Sequence, residues 1–233
     1  MNVVALVQAR MGSSRLPCKA MLYLHGLPLI DWVVHRVAKA ELIDRLIVAL
    51  PETRLDDALA VHLENRGIEL FRGPEDDVLK RFSLAARQAE ATHVIRVCAD
   101  NPIIWGGEID HLVRHFMARS DQDKLYMYNH IPRKNLYPDG LGAEMLTASL
   151  LYDLDRHSVK PEHREHCLSY IWDNAGSYVI STFDPPDPLL HRPECKLDVD
   201  TPEDYHKLAL MPIHADMPPR EILLRYPKTI EAV

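Results

Sequence analysis

The chain has 233 residues, is 47% hydrophobic and 26% charged, and carries a formal charge of -7 at pH 7. That length and balance suit a soluble protein with one large α/β domain or two small ones. The acidic excess argues against a general nucleic-acid binder while leaving room for a local cationic pocket. The four cysteines (Cys18, Cys98, Cys167, Cys195) are scattered without a Cys-x-x-Cys pair, which reads as free thiols in a reducing compartment. With no basic leader and no apolar run of membrane-spanning length, a cytoplasmic protein without membrane or nucleic-acid partners is expected.

Residues 3–7 are an unbroken apolar run, the pattern of a buried parallel strand. The run ends in a polar loop holding Gln8, Arg10, Gly12, Ser13, Ser14, Arg15 and Lys19. In open α/β sheets this edge is where ligands bind. Three cations, two hydroxyls and a glycine suit a polyphosphate; a solvated basic loop would show the same residues. Neither the Walker spacing nor Gly-x-Gly-x-x-Gly is present.

Further along, apolar spacing predicts helices over 28–40, 55–66, 75–90 and 107–119, alternating with strands over 45–50, 68–71 and 93–98. Thr53 and Gly67 mark the start and stop of the second helix, and Glu75, Asp76 and Asp77 favour the first turn of the third. This alternation implies right-handed crossovers and a mostly parallel sheet. The regularity then changes. Strands are predicted over 125–129 and 143–146, around a loop rich in Pro, Arg, Lys and Gly. We read residues 1–233 as a single domain with an antiparallel excursion, an inserted arm or lid, around 125–147. Helices over 148–157 and 162–174, a strand over 178–183 and a short strand over 196–199 follow. Thr201 then caps a helix with Pro202 at its first position.

Asp100 and Asp200 each follow a strand. From separate strand ends they could share one Mg²⁺, which takes one or two carboxylates plus substrate phosphates; turn and cap roles are the alternative. His163 and His166 would share a helix face, as a metal pair, as contacts to an anionic substrate together with Arg164, or as one polar side. Arg72 reaches either a nucleotide or the acidic run at 75–77. No Gly-x-Ser-x-Gly elbow accompanies Ser13 and Ser14, so nucleophilic hydrolysis is rejected.

In combination the motifs are more specific. Gln8-Ala9-Arg10-Met11-Gly12-Ser13-Ser14-Arg15-Leu16-Pro17-x-Lys19 resembles the N-terminal signature of the cytidylyltransferases. The nearest likeness is to the spore-coat polysaccharide type, related to CMP-sialate and CMP-ketodeoxyoctulosonate synthetases. Phe71-Arg72-Gly73, Asp100-x-Pro102, Tyr137-Pro138-x-Gly140 with Glu144, Arg164-Glu165-His166 and Val199-Asp200-Thr201-Pro202-Glu203-Asp204 continue the resemblance.

It implies a three-layer α/β/α nucleotide-diphospho-sugar transferase fold and attack of an acceptor oxygen on the α-phosphorus of CTP, with Mg²⁺ as cofactor and a homodimer as the assembly. Carried over, Arg10, Arg15 and Lys19 would be catalytic, holding the triphosphate. Gln8, Ala9, Gly12, Ser13, Ser14 and Arg72 would bind nucleotide. Asp100 and Asp200 would hold metal, and Tyr137, Glu144, Arg164 and His166 would line the acceptor side. The chain departs from the pattern at Cys18, where relatives usually have glycine, and at Gly142, where they often have aspartate. The competing readings are a glycosyltransferase, for which Asp198-Val199-Asp200 would be the Asp-x-Asp triplet, and a non-catalytic nucleotide-binding protein of the same fold.

Overall fold

Five consecutive apolar side chains can all be buried only where a strand has a packed layer on each face, and β1 (Val3–Gln8) takes that place. In the computed structural model, which describes residues 1–227, β1 lies inside a seven-stranded sheet. A two-residue antiparallel hairpin, β2 (Tyr23–Leu24) and β3 (Leu27–Pro28), follows it. β4 (Arg45–Pro51), β5 (Glu69–Gly73) and β6 (His93–Cys98) join β1 in parallel, in the spatial order β5-β4-β1-β6.

Beyond β6 the order continues β8-β7-β9, with β7 at Leu125–Tyr128, β8 at Glu144–Thr147 and β9 at Val179–Ser181. β8 runs antiparallel to both neighbours, while β7 and β9 pair in parallel. The antiparallel excursion expected around 125–147 is therefore present, and it lies within the sheet. Two of its stretches are strands of the sheet, and the break in alternation is one strand of reversed direction. Asn129 secures the return: its backbone N–H donates to the Ala143 carbonyl at 3.0 Å, its Oδ1 accepts from the Ala143 N–H at 2.9 Å, and its Nδ2 donates to the Glu108 carbonyl.

Helices cover both faces, giving the three-layer α/β/α architecture. α1 (Leu29–Val37), α2 (Asp57–Glu64) and α4 (Gly106–Met117) pack on the side of Val3, Ala5 and Val7. α3 (Val78–Gln88) and α5 (Ala148–His157) pack on the side of Val4 and Leu6. α3 starts later than its acidic run suggests. Asp77 is its N-cap, accepting from the Lys80 N–H, so Glu75 and Asp76 lie ahead of the helix.

The helix expected over 162–174 is two short ones, α6 (Pro161–Glu165) and α7 (Ser169–Asp173), because His166 leaves the helical region with φ -95° and ψ 69°. His163 and His166 consequently share no helix face; His163 is buried and pairs with Asp173 at 2.8 Å. α8 (Pro202–Leu210) starts at Thr201 with a full capping box to Asp204. α9 (Pro219–Arg225), which the sequence reading lacks, closes a third apolar cluster with Trp32, Tyr137, Leu197 and Leu208. Among the described residues no helix is long and apolar enough to cross a membrane.

One buried cation ties the C-terminal segment to the sheet. Arg36 of α1 is fully buried and pairs with no carboxylate among the described residues. It donates to the carbonyls of Ile104 (2.7 Å), Ala215 (2.8 Å), Met217 (2.9 Å) and Ile103 (3.2 Å), and lies 4.5 Å from the centre of the Trp105 ring. Burial lowers its pKa to about 9. Arg36→Met would leave four carbonyls without their donor, at about 1–3 kcal/mol for each one kept from water. Chemical denaturation should show a stability loss of about 3–5 kcal/mol; a change below about 0.5 kcal/mol would mean that water replaces the clamp.

Candidate active site

β1 and β6 end side by side, with Gln8 paired to Cys98. The chain leaving β1 folds back on itself: the Cys18 N–H donates to the Met11 carbonyl at 3.0 Å and the Lys19 N–H to that of Leu16 at 3.2 Å. Asp56 anchors the loop by accepting from the Met11 N–H at 2.8 Å. Cys18 sits at φ +57°, in the left-handed region. A side chain there costs about 1 kcal/mol, which glycine avoids. Cys18→Gly should therefore raise the melting temperature slightly, by the equivalent of a few tenths to about 1 kcal/mol after glycine's own entropy cost. A lower melting temperature would mean that the thiol packs usefully.

The loop roofs an open cleft of about 220 Å³. Gln8, Ala9, Arg10, Ser13, Ser14, Arg15 and Lys19 line it, together with Asp100 and Asp200. β6 delivers Asp100, and the Asp100 carbonyl then accepts from the Val199 N–H at 2.7 Å, drawing residues 196–200 alongside. This stretch makes only one bridge, Lys196 to Asp139, rather than the expected strand. Asp204 holds the backbone of Asp200 and Thr201 by accepting both N–H groups, at 3.1 and 3.0 Å. The Thr-Pro-Glu-Asp sequence thus fixes where Asp200 points.

Between the two aspartates lies Lys19. Its Nζ donates to Asp100 Oδ2 (3.0 Å), Asp200 Oδ1 (3.1 Å) and the Val199 carbonyl (3.0 Å). Burial works against its charge, but Asp100 and then Asp200 outweigh burial and raise its pKa. Arg15 reaches the other oxygen of Asp200 at 3.0 Å, while Arg10 touches Glu165 only loosely, at 3.6 Å. The loop therefore brings three cations to the cleft, of which two already balance the aspartates.

Two further carboxylates lie behind this centre. Asp139 belongs to the tight passage Pro138-Asp139-Gly140, where Gly140 has φ +86° and a Cβ would stand 2.8 Å from the Asp198 nitrogen. Burial, then repulsion from Asp198, lifts the Asp139 carboxyl to about 6 against the opposing pull of Lys196. Burial also raises Asp198, whose Oδ1 has no partner among the described residues. A carboxyl raised on folding is held protonated by the folded state between its unfolded value near 4 and 6, so its contribution to stability falls as pH rises through that window. Asp139→Asn should raise the melting temperature of metal-free protein above pH 6 and leave it unchanged near pH 4. A pH-independent effect would remove this assignment.

The remaining expected residues lie elsewhere. Gly12 is exposed beside the cleft with ordinary room for a Cβ, 3.7 Å from Leu55. Arg72 faces away, bonded to the Thr53 carbonyl (2.7 Å) and Asp57 (2.7 Å). Tyr137 is buried and donates to Glu108 at 2.7 Å. Arg164 ties the α3 cap to α5, donating to Asp77 (2.6 Å) and Asp155 (2.8 Å). Glu144 is buried against Arg96 and Tyr126. Of the four acceptor-side residues only His166 lines the cleft. At Gly142 a Cβ would lie 2.1 Å from Asn129 Oδ1, so Asn129 occupies the space that a carboxylate there would need.

Arg96, Cys98 and Glu165 line the cleft without having been singled out by themselves. A charge inside the apolar run His-Val-Ile-Arg-Val-Cys was the available signal for Arg96. Asp139 had none, since it is the variable position of its motif.

The family model described as cytidylyltransferase matches residues 4–204. The chain belongs to the cytidylyltransferase family. Spore coat polysaccharide biosynthesis protein SpsF of Bacillus subtilis (strain 168) is 31% identical over 213 residues, covering 89% of this chain and 85% of that protein. A solved cytidylyltransferase from Leptospira borgpetersenii serovar Hardjo-bovis superposes with a TM-score of 0.87, covering 100% of both chains at 25% identity. The structure of CMP:2-keto-3-deoxy-manno-octonic acid synthetase complexed with CTP shares the fold, with a TM-score of 0.66 over 90% of this chain and 97% of that one at 20% identity. This cytidylyltransferase is accordingly a nucleotidyltransferase enzyme, with its cleft at the carboxyl ends of the parallel strands.

Proposed function

We propose that the cleft binds CTP and that an acceptor oxygen attacks its α-phosphorus, giving a CMP-activated sugar acid or related polar metabolite and pyrophosphate, for surface polysaccharide biosynthesis. The observation that carries this reading is the meeting of Asp100, Asp200 and Lys19 at one point beneath a loop bearing Arg10 and Arg15.

A divalent cation fits the donor set. Two carboxylate oxygens lie within 3.1 Å of a single position, the one Lys19 Nζ takes. Among the described residues no group of three or more His, Cys, Asp or Glu could hold a metal by itself, so substrate phosphates and water would complete the shell, as magnesium prefers. Asp100 and Asp200 would hold the Mg²⁺, which when bound would neutralise charge on the phosphate oxygens.

Nucleotidyl transfer needs alignment and charge stabilisation more than covalent help. Arg10 and Arg15 offer planar forks to phosphate oxygens, and Lys19 is a point charge for the leaving pyrophosphate. Ser13 and Ser14 present hydroxyls to the same chain of oxygens. Gln8 and Ala9 form the floor, where β1 meets β6.

Calorimetry of each nucleoside triphosphate, with and without magnesium, tests the reading. CTP binding alone, and only with magnesium, supports it; an acceptor screen following pyrophosphate release comes next. A nucleotide sugar binding while CTP does not would overturn it.

A further inference from the structure

Each of the three cations that the loop brings to the cleft already faces a carboxylate. Lys19 Nζ donates to Asp100 Oδ2 at 3.0 Å, to Asp200 Oδ1 at 3.1 Å and to the Val199 carbonyl at 3.0 Å. An ammonium has three protons to donate, so Lys19 is saturated. Arg15 meets Asp200 Oδ2 at 3.0 Å, and both oxygens of Asp200 are thus engaged by loop cations. Arg10 stands apart from this group. It faces Glu165 of α6 at 3.6 Å, with both side chains exposed.

Two aspartates side by side repel each other. Lys19 and Arg15 cancel that repulsion from within one loop. The pairing is sheltered for an open cleft: the Lys19 side chain is 16% exposed and that of Asp200 23%. Pairs sheltered to this degree are only weakly screened by salt.

We infer that Lys19 and Arg15 are a built-in substitute for the metal, a latch that holds Asp100 and Asp200 until a divalent cation and a polyphosphate arrive together. The inference rests on the reading of the cleft as a nucleotide site. A divalent ion alone would share the aspartates with an ammonium and a guanidinium, and like charges at contact distance repel. A polyphosphate alone would draw Lys19 and Arg15 away and leave two bare carboxylates beside its own negative oxygens. With both present, the loop cations turn to phosphate, the aspartates turn to the divalent ion, and every charge stays paired. Such coupling is reciprocal: the polyphosphate raises metal affinity by the factor by which the metal raises polyphosphate affinity.

Inorganic tripolyphosphate is the probe, since it carries the charge of the nucleotide without its base. The Lys19 ammonium resonance, assigned by its loss in Lys19→Arg, is followed by NMR with Mg²⁺ alone, with tripolyphosphate in a chelator, and with tripolyphosphate and Mg²⁺ together. It should stay in place in the first two and shift in the third. Water relaxation by Mn²⁺ on nucleotide-free protein is the second readout. Arg15→Gln takes one cation from Asp200 and should bind Mn²⁺ about three- to tenfold tighter than wild type. Arg10→Gln removes an equal charge from the same loop but none from the aspartates, and should change Mn²⁺ affinity less than about twofold. The Arg15 side chain is 63% exposed, so the fold should hold, and thermal unfolding checks it. A shift with either ligand alone overturns the inference, because the aspartates then open without the partner. A resonance unmoved by both together overturns it too, because the pairs are then fixed structure, as does equal Mn²⁺ affinity in wild type and Arg15→Gln. If tripolyphosphate with Mg²⁺ releases Lys19 while calorimetry shows no CTP binding, the latch stands and the cytidylyl-transfer reading fails. If CTP binds with magnesium and Lys19 stays in place, that reading stands and the latch fails.

Discussion

Asp100→Asn and Asp200→Asn should each lower turnover roughly a thousandfold while the protein stays folded. Asparagine keeps the shape of the side chain and an oxygen for Lys19; it removes one negative charge from a centre built on two. Because Lys19 bonds both aspartates and the Val199 carbonyl, either variant still leaves the ammonium two acceptors, and the melting temperature should move little. Single-turnover release of pyrophosphate from CTP, beside thermal unfolding, is the measurement. Full activity in either variant would remove that residue from the reaction, and loss of the fold in both would leave a structural role for the pair.

Lys19→Met should act in opposite directions on two ligands. The ammonium stands where a cation shared by the aspartates would stand, and it also belongs to the triphosphate set. Without it, Asp100 and Asp200 repel each other and attract a divalent ion more strongly, so Mn²⁺ should bind the nucleotide-free variant at least about tenfold tighter. CTP should bind more weakly, and turnover should fall roughly a hundred- to a thousandfold. Paramagnetic relaxation of water by Mn²⁺ reads the first effect and calorimetry the second. A parallel loss of both affinities would mean that Lys19 props the site open and does not compete for it.

Much of this architecture was legible because the physical signals are local. The apolar run of β1, the strand–helix alternation to residue 119 and the Thr201–Pro202 helix start each depend on a few neighbouring residues, and each lies within a few residues of its expected place. The signals that misled are those that tertiary partners decide. The antiparallel turn over 125–147 is present as read, but its place in the sheet was not legible, because sequence does not say which strand a reversed segment will pair with; the answer depends on Asn129 meeting Ala143 and Glu108. The 162–174 helix breaks at His166, although its residue types allow helix throughout.

The site divides in the same way. The loop cations and Asp100 meet because sheet topology brings these loops to one edge, and Asp200 joins them through the Val199–Asp100 backbone bond and the Asp204 cap. Arg72 and Arg164 are arginines in matching motifs, yet each is consumed by nearby carboxylates and carbonyls. Arg96 went unremarked because its meaning depends on Glu144, 48 residues away across the sheet.

The Arg36 clamp bears on where this protein can be cut. The family model's match ends at residue 204, yet the carbonyls of Ala215 and Met217 hold the same guanidinium that fixes Ile103 and Ile104, three and four positions after Asp100. A chain ended at residue 204 would free that guanidinium from half of its acceptors and slacken the turn carrying Asp100 some distance from the cut. The portion that the family model spans is thus shorter than the cooperative unit, and a fragment trimmed to it should lose activity before it loses its sheet.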